Sequence, residues 1–229
     1  MATPNPTLVI IHGGWHILKS YEKLIVALKD VGYEVHCPRL PTTNQSRPPN
    51  ADFYTDSDLV HTYVSSLVQA GRSVVTIMHS DALVGLGQET RAKDGMMDKV
   101  REFGHMDLVP IAFDFADDDT CLNNDPRSLL IGPSDLAAEE VDQYLATLVR
   151  WNGKFMYLPI RHAAWREIPV AYIYSTADMT VPIDYQRSFV EGMEKASRPV
   201  RTFNLAIDHC PHLTATAGVV DAIEQIVKS

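Results

Sequence analysis

Cysteine is scarce in this sequence of 229 residues, and its three copies are widely spaced at positions 37, 121 and 210. An odd number of cysteines with no Cys-x-x-Cys pair excludes a disulfide framework and indicates free thiols in a reducing compartment. The N-terminal residues also lack the basic stretch and apolar run of a secretory signal. We therefore expect a cytoplasmic protein.

Positive charge and long apolar runs are lacking as well. The sequence has 20 lysines and arginines against 29 aspartates and glutamates, which gives a formal net charge of -9. A protein that captures nucleic acid or an anionic membrane is expected to carry a basic surface, so we expect neither partner. No apolar run approaches the roughly 18 residues that span a bilayer.

What the sequence does have is an alternation of short apolar runs with longer amphipathic stretches. This alternation predicts an α/β fold with a mainly parallel sheet flanked by helices, in one domain over residues 1–229. The predicted strands are Thr7–Ile11, Glu34–Cys37, Ser73–Met78, Met106–Phe113, Val170–Ser175 and Val200–Ala206. The predicted helices are Leu18–Val31, Asp56–Ala70, Ala82–Lys93, Asp184–Ala196 and Ala215–Lys228.

The stretch Ala116–Trp165 interrupts this pattern. It opens with three consecutive aspartates and contains a helix-like segment from Ser134 to Trp151. About 50 residues are few for a separate domain. We therefore predict a small helical cap, inserted at the carboxyl end of the sheet.

Ligands of open parallel sheets bind at the carboxyl ends of the strands, so the residues that follow each strand are informative. Those residues include His12-Gly13-Gly14-Trp15, His79-Ser80-Asp81, Asp114, Thr176-Ala177-Asp178 and Asp208-His209. A serine, a histidine and several aspartates thus fall in one set. This combination predicts nucleophilic catalysis.

Ser80 stands where a strand runs directly into a predicted helix, the setting of a nucleophile elbow. The usual pattern is Gly-x-Ser-x-Gly, and here Met78 and Ala82 replace the two glycines. A serine in this place is by itself more often a helix cap. The motif therefore needs a base and an acid before it indicates catalysis, because a serine hydroxyl is a weak nucleophile alone.

His209 is the candidate base and Asp178 the candidate acid. Each follows one of the last two predicted strands, and the order Ser, Asp, His is the one that α/β-hydrolases use. Asp114 is a reserve candidate for the acid. His209, Cys210 and His212 also offer three metal donors, but no second cluster with a fourth donor is evident, so we expect no metal and no other cofactor.

Glycines after the first strand let backbone N–H groups approach a ligand closely. We assign the N–H groups of Gly14 and Asp81 to an oxyanion hole. A phosphate-binding loop is not expected, because neither Gly-x-Gly-x-x-Gly nor Gly-x-x-x-x-Gly-Lys-Ser/Thr occurs.

Five segments in order resemble the small α/β-hydrolases that include the plant methylesterases and hydroxynitrile lyases, with their bacterial and fungal relatives. The segments are Leu8–His16, Met78–Ser80, Ala164–Pro169, Tyr174–Pro182 and Asp208–Leu213. The resemblance implies Ser80, Asp178 and His209 as a triad and residues 116–165 as a cap over the pocket. Relatives usually carry Ser-Tyr-Gly-Gly or Ser-Leu-Gly-Gly, whereas this chain has Ser80-Asp81-Ala82-Leu83. A carboxylate at Asp81 would oppose an oxyanion, unless a nearby lysine or arginine neutralises it or its pKa is raised.

Two kinds of chemistry fit these residues, and both take a small-molecule substrate. The first is hydrolysis of a carboxylic ester, lactone or thioester; the second is lyase or isomerase chemistry with Ser80 and His209 as acid and base. A non-catalytic ligand-binding protein is the third alternative, and a homodimer through the cap is left open. The residues expected to line an apolar pocket are His12, Gly13, Trp15, His16, Phe113, Tyr144, Trp151, Phe155 and Trp165.

Overall fold

Parallel strand pairs form the frame of the protein. The computed structural model describes residues 4–80, 96–159 and 163–228. The parallel strands within these ranges are β1 Thr7–Ile11, β2 Val35–His36, β3 Val74–Met78, β7 Val170–Ser175 and β8 Val200–Leu205. One sheet has the order β2-β1-β3 and a second pairs β7 with β8, all in parallel.

Helices cover both faces of the central strand β1, which is why all of its residues are buried. The helices are α1 Glu22–Asp30, α2 Phe53–Gln69, α3 Met96–Glu102, α4 Val109–Ala112, α5 Ala138–Leu145, α6 Ile183–Lys195, α7 Pro211–Thr214 and α8 Thr216–Val227. On one face of β1, Leu8 and Ile10 pack in a cluster with α1 and α8, and on the other face Val9 and Ile11 pack against α2. The architecture is therefore the expected α/β arrangement, with parallel strands between helices.

The predicted strand Met106–Phe113 is wrong. A short 3-10 helix over Met106–Leu108 leads into α4, and extended structure begins only at Phe113. Pro110 accounts for the difference: it has no N–H for a strand ladder, yet it is tolerated in the first turn of a helix, where it lies here. A short apolar run cannot by itself distinguish a strand from a helix.

An antiparallel sheet lies within the segment that follows. It consists of β4 Phe113–Phe115, β5 Thr120–Asn123 and β6 Trp151–Asn152 in the order β4-β5-β6. The helix predicted over 134–151 is shorter, since α5 ends at Leu145 and Trp151 belongs to β6. The helix predicted over 82–93 lies outside the described residues.

Aromatic contacts fix this antiparallel sheet over the carboxyl end of β1. The Trp15 ring stacks on Phe113 at 5.5 Å between centroids and meets Trp151 edge-on at 5.8 Å. Trp15 directly follows the His12-Gly13-Gly14 turn, so the sheet covers the edge where the candidate site residues were expected. None of the helices that the structure describes has the length and apolar character to span a bilayer.

Candidate active site

Ser80 occupies a sharp turn at the end of β3. Its φ angle is 57°, in the left-handed region that residues with a side chain rarely adopt, and the residue is almost fully buried. Such a conformation costs of order 1–3 kcal/mol and persists where the surrounding structure enforces it. The strained turn is the backbone geometry expected of a nucleophile elbow, although Met78 stands in place of its first glycine.

Ser80, His209 and Asp178 lie in one hydrogen-bonded row. The Ser80 Oγ is 2.8 Å from the His209 Nε2, and the His209 Nδ1 is 2.8 Å from the Asp178 Oδ2. Since a carboxylate oxygen only accepts, the His209 Nδ1–H donates to Asp178 and Nε2 is left to accept the serine proton. The imidazole and the carboxylate are almost completely shielded from water.

Backbone donors hold the second oxygen of Asp178. The N–H groups of Thr180 and Val181 both donate to Oδ1, each at 2.8 Å. Both carboxylate oxygens therefore have partners, and the orientation of Oδ2 toward His209 is fixed. Asp114, the reserve candidate, instead forms an ion pair with Arg150 and is half-exposed.

The loops that carry Asp178 and His209 are joined by hydrogen bonds beyond the ends of their strands. The N–H of Thr176 donates to the carbonyl of Leu205 at 2.9 Å, and the N–H of Ala177 donates to the carbonyl of Ile207 at 3.1 Å. These bonds extend the pairing of β7 and β8 into the loops. Asp178 and His209 thus emerge side by side from neighbouring strands.

A second hydrogen-bond path links the serine turn to the histidine loop. The Gly13 N–H donates to the Tyr21 hydroxyl at 3.1 Å, and that hydroxyl donates to the His79 Nδ1 at 2.6 Å. The His79 Nε2–H then donates to the backbone carbonyl of His209 at 2.8 Å. Burial, and then neighbouring histidines, lower the pKa of His79 well below its usual value, so the ring is neutral and makes both bonds.

Sequence reasoning assigned no role to His79 or Tyr21. The position of His79 beside Ser80 was the available signal, but its partners come from distant parts of the chain. We infer that His79 is a positioning residue that holds His209 through its backbone.

Replacing His79 with phenylalanine is expected to lower kcat about 10- to 100-fold with little change in KM, because His209 shifts relative to Ser80. Stability should fall by about 1–3 kcal/mol, since the buried His209 carbonyl loses its donor. His79→Gln, which retains a donor, should recover part of the kcat. Steady-state kinetics and urea unfolding measure both effects; equal kcat values for the two variants would argue against a positioning role.

Gly13 packs directly against the serine. A Cβ atom at this position would lie 2.7 Å from the Ser80 Cβ and 3.1 Å from the His79 carbonyl oxygen. Neither neighbour can rotate away, because one is a Cβ and the other is backbone. The close approach therefore requires glycine, and it brings the Gly13-Gly14 backbone beside the Ser80 side chain. Asp81, the other residue assigned to the oxyanion hole, lies outside the described residues.

Gly13→Ala is expected to lower kcat about 100-fold, because relief of the clash displaces the serine by a fraction of an ångström or more. Gly218→Ala is the matched control. Its added methyl would meet only the end of the Leu205 side chain, at 3.0 Å, and alanine suits the interior of α8. Activity assays should show a loss in the first variant alone; full activity in Gly13→Ala would contradict the described packing.

Three cavities surround these residues. One of about 220 Å³ contacts Ser80, Asp178 and His209, and one of about 90 Å³ lies between Ser80 and the Trp15 and Phe113 rings. A larger one of about 630 Å³ runs along the His12-Gly13-Gly14 turn. The last is within the size range of small-molecule sites.

The residues predicted to line the pocket divide among these places. His12, Gly13, Trp151 and Phe155 line the large cavity, and Trp15 and Phe113 line the smallest. Among the described residues, His16, Tyr144 and Trp165 line none of the three. The Trp165 ring packs with Tyr172 and Met193, whereas His16 and Tyr144 hydrogen-bond to each other at 2.7 Å.

Asp56 is a buried carboxylate on the wall of the large cavity. Burial raises its pKa to about 6, although the Thr42 N–H and hydroxyl both donate to it and favour the charged form. In the unfolded chain the carboxyl titrates near 3.8. The folded protein therefore binds this proton more tightly than the unfolded chain does. As the pH rises from about 4 to above 6, deprotonation of Asp56 lowers the free energy of unfolding by about 2–3 kcal/mol.

Asp56→Asn is expected to remove this pH dependence. Relative to wild type, the variant should gain about 2–3 kcal/mol of stability between about pH 4 and pH 7. Urea unfolding at both pH values measures the difference. Asp58→Asn, an exposed change on the same helix, should show no such trend, and a parallel trend in both variants would refute the assignment to Asp56.

Known proteins resemble this chain over nearly its whole length. The profile described as the alpha/beta hydrolase family matches residues 8–222. A probable hydrolase, R7, from Phoma sp. (strain ATCC 20986 / MF5453) is 23% identical, over 97% of this chain and 98% of its own.

Solved structures share the fold. A pyrethroid hydrolase from Sphingobium faniae JZ-2 superposes with a TM-score of 0.73 at 17% identity, covering 98% of each chain. A methylesterase from Arabidopsis superposes with a TM-score of 0.70 at 15% identity, covering 97% of this chain and 99% of its own.

Proposed function

This chain belongs to the alpha/beta hydrolase family, and we propose that it is a serine hydrolase of carboxylic esters. One observation carries the proposal: the Ser80 Oγ, the His209 imidazole and the Asp178 carboxylate form a row with both links at 2.8 Å. A buried imidazole between a hydroxyl and a fixed carboxylate is the arrangement that activates serine.

The proposed first half-reaction forms an acyl-enzyme. The Ser80 oxygen attacks the ester carbonyl while the His209 Nε2 accepts its proton, and Asp178 stabilises the imidazolium that results. The carbonyl oxygen gains the negative charge. The N–H groups of Gly14 and Asp81 are the proposed donors to it, each typically contributing roughly 3–4 kcal/mol. The intermediate then expels the alcohol, which takes the proton from His209.

The second half-reaction consumes water. His209 removes a proton from a water molecule while the water oxygen attacks the acyl carbon. Collapse of the resulting intermediate breaks the bond to the Ser80 oxygen, which takes the proton back from His209. The products are a carboxylic acid, an alcohol and the starting enzyme. The side chains of this site and one water molecule supply every atom and proton that the scheme needs.

The walls of the cavities favour a small, largely apolar substrate. The Phe53, Trp151 and Phe155 rings line the large cavity, and the Trp15 and Phe113 rings flank Ser80. Apolar and aromatic walls with a few polar groups are typical of sites for small organic molecules. The names of the structural neighbours, a pyrethroid hydrolase and a methylesterase, agree with an ester substrate.

A substrate panel tests this proposal. Wild type and Ser80→Ala are assayed with aryl and methyl esters, lactones, thioesters and cyanohydrins. We expect wild type to hydrolyse at least one acyl substrate and Ser80→Ala to hydrolyse none. Cleavage of a cyanohydrin without ester turnover would instead indicate a lyase, and saturable binding of esters without turnover would indicate a ligand-binding protein.

A further inference from the structure

Four polar side chains lie together in the interior beside the triad. We call His16, Tyr144, Cys210 and His212 the donor cluster. His16 follows β1, Tyr144 lies in α5, and Cys210 and His212 follow the catalytic histidine. Each is 5% exposed or less, and His16, Cys210 and His212 each offer a nitrogen or sulfur atom within 4.8 Å of the other two.

The Tyr144 hydroxyl is at the centre of the donor cluster. It lies 2.7 Å from the His16 Nε2, 3.1 Å from the Cys210 Sγ and 3.1 Å from the His212 Nε2. The Cys210 Sγ and the His16 Nε2 are 3.7 Å apart. Two imidazole nitrogens and one sulfur thus surround the Tyr144 oxygen.

A hydrogen bond outside the donor cluster orients the His16 ring. The His16 Nδ1–H donates to the Gly14 carbonyl at 2.6 Å, so its Nε2 carries a lone pair toward the donor cluster. That nitrogen is the one that lies 2.7 Å from the Tyr144 hydroxyl and 3.7 Å from the Cys210 Sγ.

Hydrogen bonding inside the cluster is incomplete. The His212 Nδ1 is buried and has no hydrogen-bond partner among the described residues. The Tyr144 hydroxyl can donate to the His16 Nε2 and accept from the His212 Nε2–H, and the His212 Nδ1 then keeps an unused buried lone pair. Buried polar groups in native proteins are normally paired, so the donor set has capacity for a further ligand.

We propose that His16, Cys210 and His212 bind one zinc ion or a similar divalent ion such as cobalt, with the Tyr144 oxygen nearest the fourth position. Imidazole nitrogen and thiolate sulfur are the ligands that zinc prefers. Zinc bonds of 2.0–2.3 Å imply tetrahedral donor separations of roughly 3.3–3.8 Å. The Cys210–His16 spacing of 3.7 Å falls in this range. The three donor atoms lie within 4.8 Å of one another, so the widest pair must approach by up to about 1 Å, and the Tyr144 oxygen must move away from His16 by about half an ångström.

The binding step is a proton exchange. The S–H bond of Cys210 breaks, its proton leaves to solvent, and the thiolate forms a bond to the ion. Burial raises the pKa of the Cys210 thiol, so in the absence of an ion the proton stays on sulfur. One thiolate and two neutral imidazoles leave a single positive charge on the ion and its ligands.

This set of ligands differs from the one considered in the sequence. His209 points to Ser80 and Asp178 instead, and His16 takes its place from a position 194 residues before Cys210. The ion would join the segment after β1 to the loop that carries the catalytic histidine. Its site contains none of the three triad residues, so metal binding and hydrolysis can be tested separately.

Expression in cobalt-supplemented minimal medium tests the site, because the ion is then present while the buried ligands fold. Purified wild type is expected to hold about one cobalt per chain and to show a thiolate-to-cobalt charge-transfer absorption band. Cys210→Ser should lose both. Cys37→Ser, which changes another buried thiol outside the donor cluster, should retain both, as should Ser80→Ala, which disables the proposed hydrolysis.

Two further measurements guard against a folding artefact. A chelator should lower the unfolding temperature of cobalt-loaded wild type and leave that of Cys210→Ser unchanged. His212→Asn, which removes a different ligand, should also lower the cobalt content. Wild type without cobalt, or equal cobalt contents in wild type and Cys210→Ser, would overturn the proposal.

Discussion

Ser80→Ala is expected to reduce kcat/KM for ester hydrolysis by at least about 10⁴-fold while the protein stays folded. The loss is large because no acyl-enzyme can form without the Oγ that lies 2.8 Å from the His209 Nε2. Binding of the substrate should change little, since the cavity walls are intact. Steady-state kinetics on the best ester of the panel, with circular dichroism to confirm folding, measure the effect.

Ser175→Ala is the matched control for this substitution. Ser175 is also a buried serine at the end of a strand, and it lines the same cavity of about 220 Å³. Its removal should leave activity within about threefold of wild type, as is usual for changes that touch no catalytic group. Comparable losses in both variants would show that the cavity, and not the Ser80 hydroxyl, determines activity.

Asp178→Asn is expected to lower kcat about 10⁴-fold with the geometry of the site preserved. The two backbone N–H groups on Oδ1 select the orientation of the new amide, because they require an oxygen at that position. The amide nitrogen is then turned toward the His209 Nδ1. This ring nitrogen must accept rather than donate, so its proton moves to Nε2, where it faces Ser80 and prevents the ring from acting as a base.

Asp208→Asn provides the control for the second substitution. Asp208 is a neighbouring buried carboxylate, and burial and the nearby Asp178 raise its pKa. It has no place in the hydrogen-bonded row, so kcat should change by less than about tenfold. Stopped assays over a range of pH compare the two variants, and a small effect at Asp178 together with a large one at Asp208 would reassign the acid.

The juxtaposition of Ser80, Asp178 and His209 was predictable from their places in the sequence. Ser80, Asp178 and His209 each follow a strand, and the carboxyl ends of parallel strands meet at one edge of a sheet. The hydrogen bonds that position them were not predictable in this way. Tyr21 reaches His79 across 58 residues, and His79 reaches the His209 carbonyl across 130.

The segment around Pro110 shows where local pattern fails. An apolar run followed by Phe113 is compatible with a strand, yet the missing N–H of proline favours the short helix α4. Sequence alone also does not separate aromatic residues by role. Trp151 and Trp165 are both tryptophans, yet among the described residues Trp151 lines the large cavity whereas Trp165 packs in the core with Tyr172, because the environment of a side chain depends on tertiary packing.

Labelling with a fluorophosphonate probe, followed by mass mapping of the modified peptide, addresses the central claim most directly. An activated serine beside a buried imidazole and carboxylate should take up one phosphonyl group, on the Ser80 peptide only, and wild type should lose its esterase activity in step with labelling. If wild type hydrolyses esters while Ser80 remains unmodified, or if the adduct maps to another residue, the proposed row does not perform the chemistry.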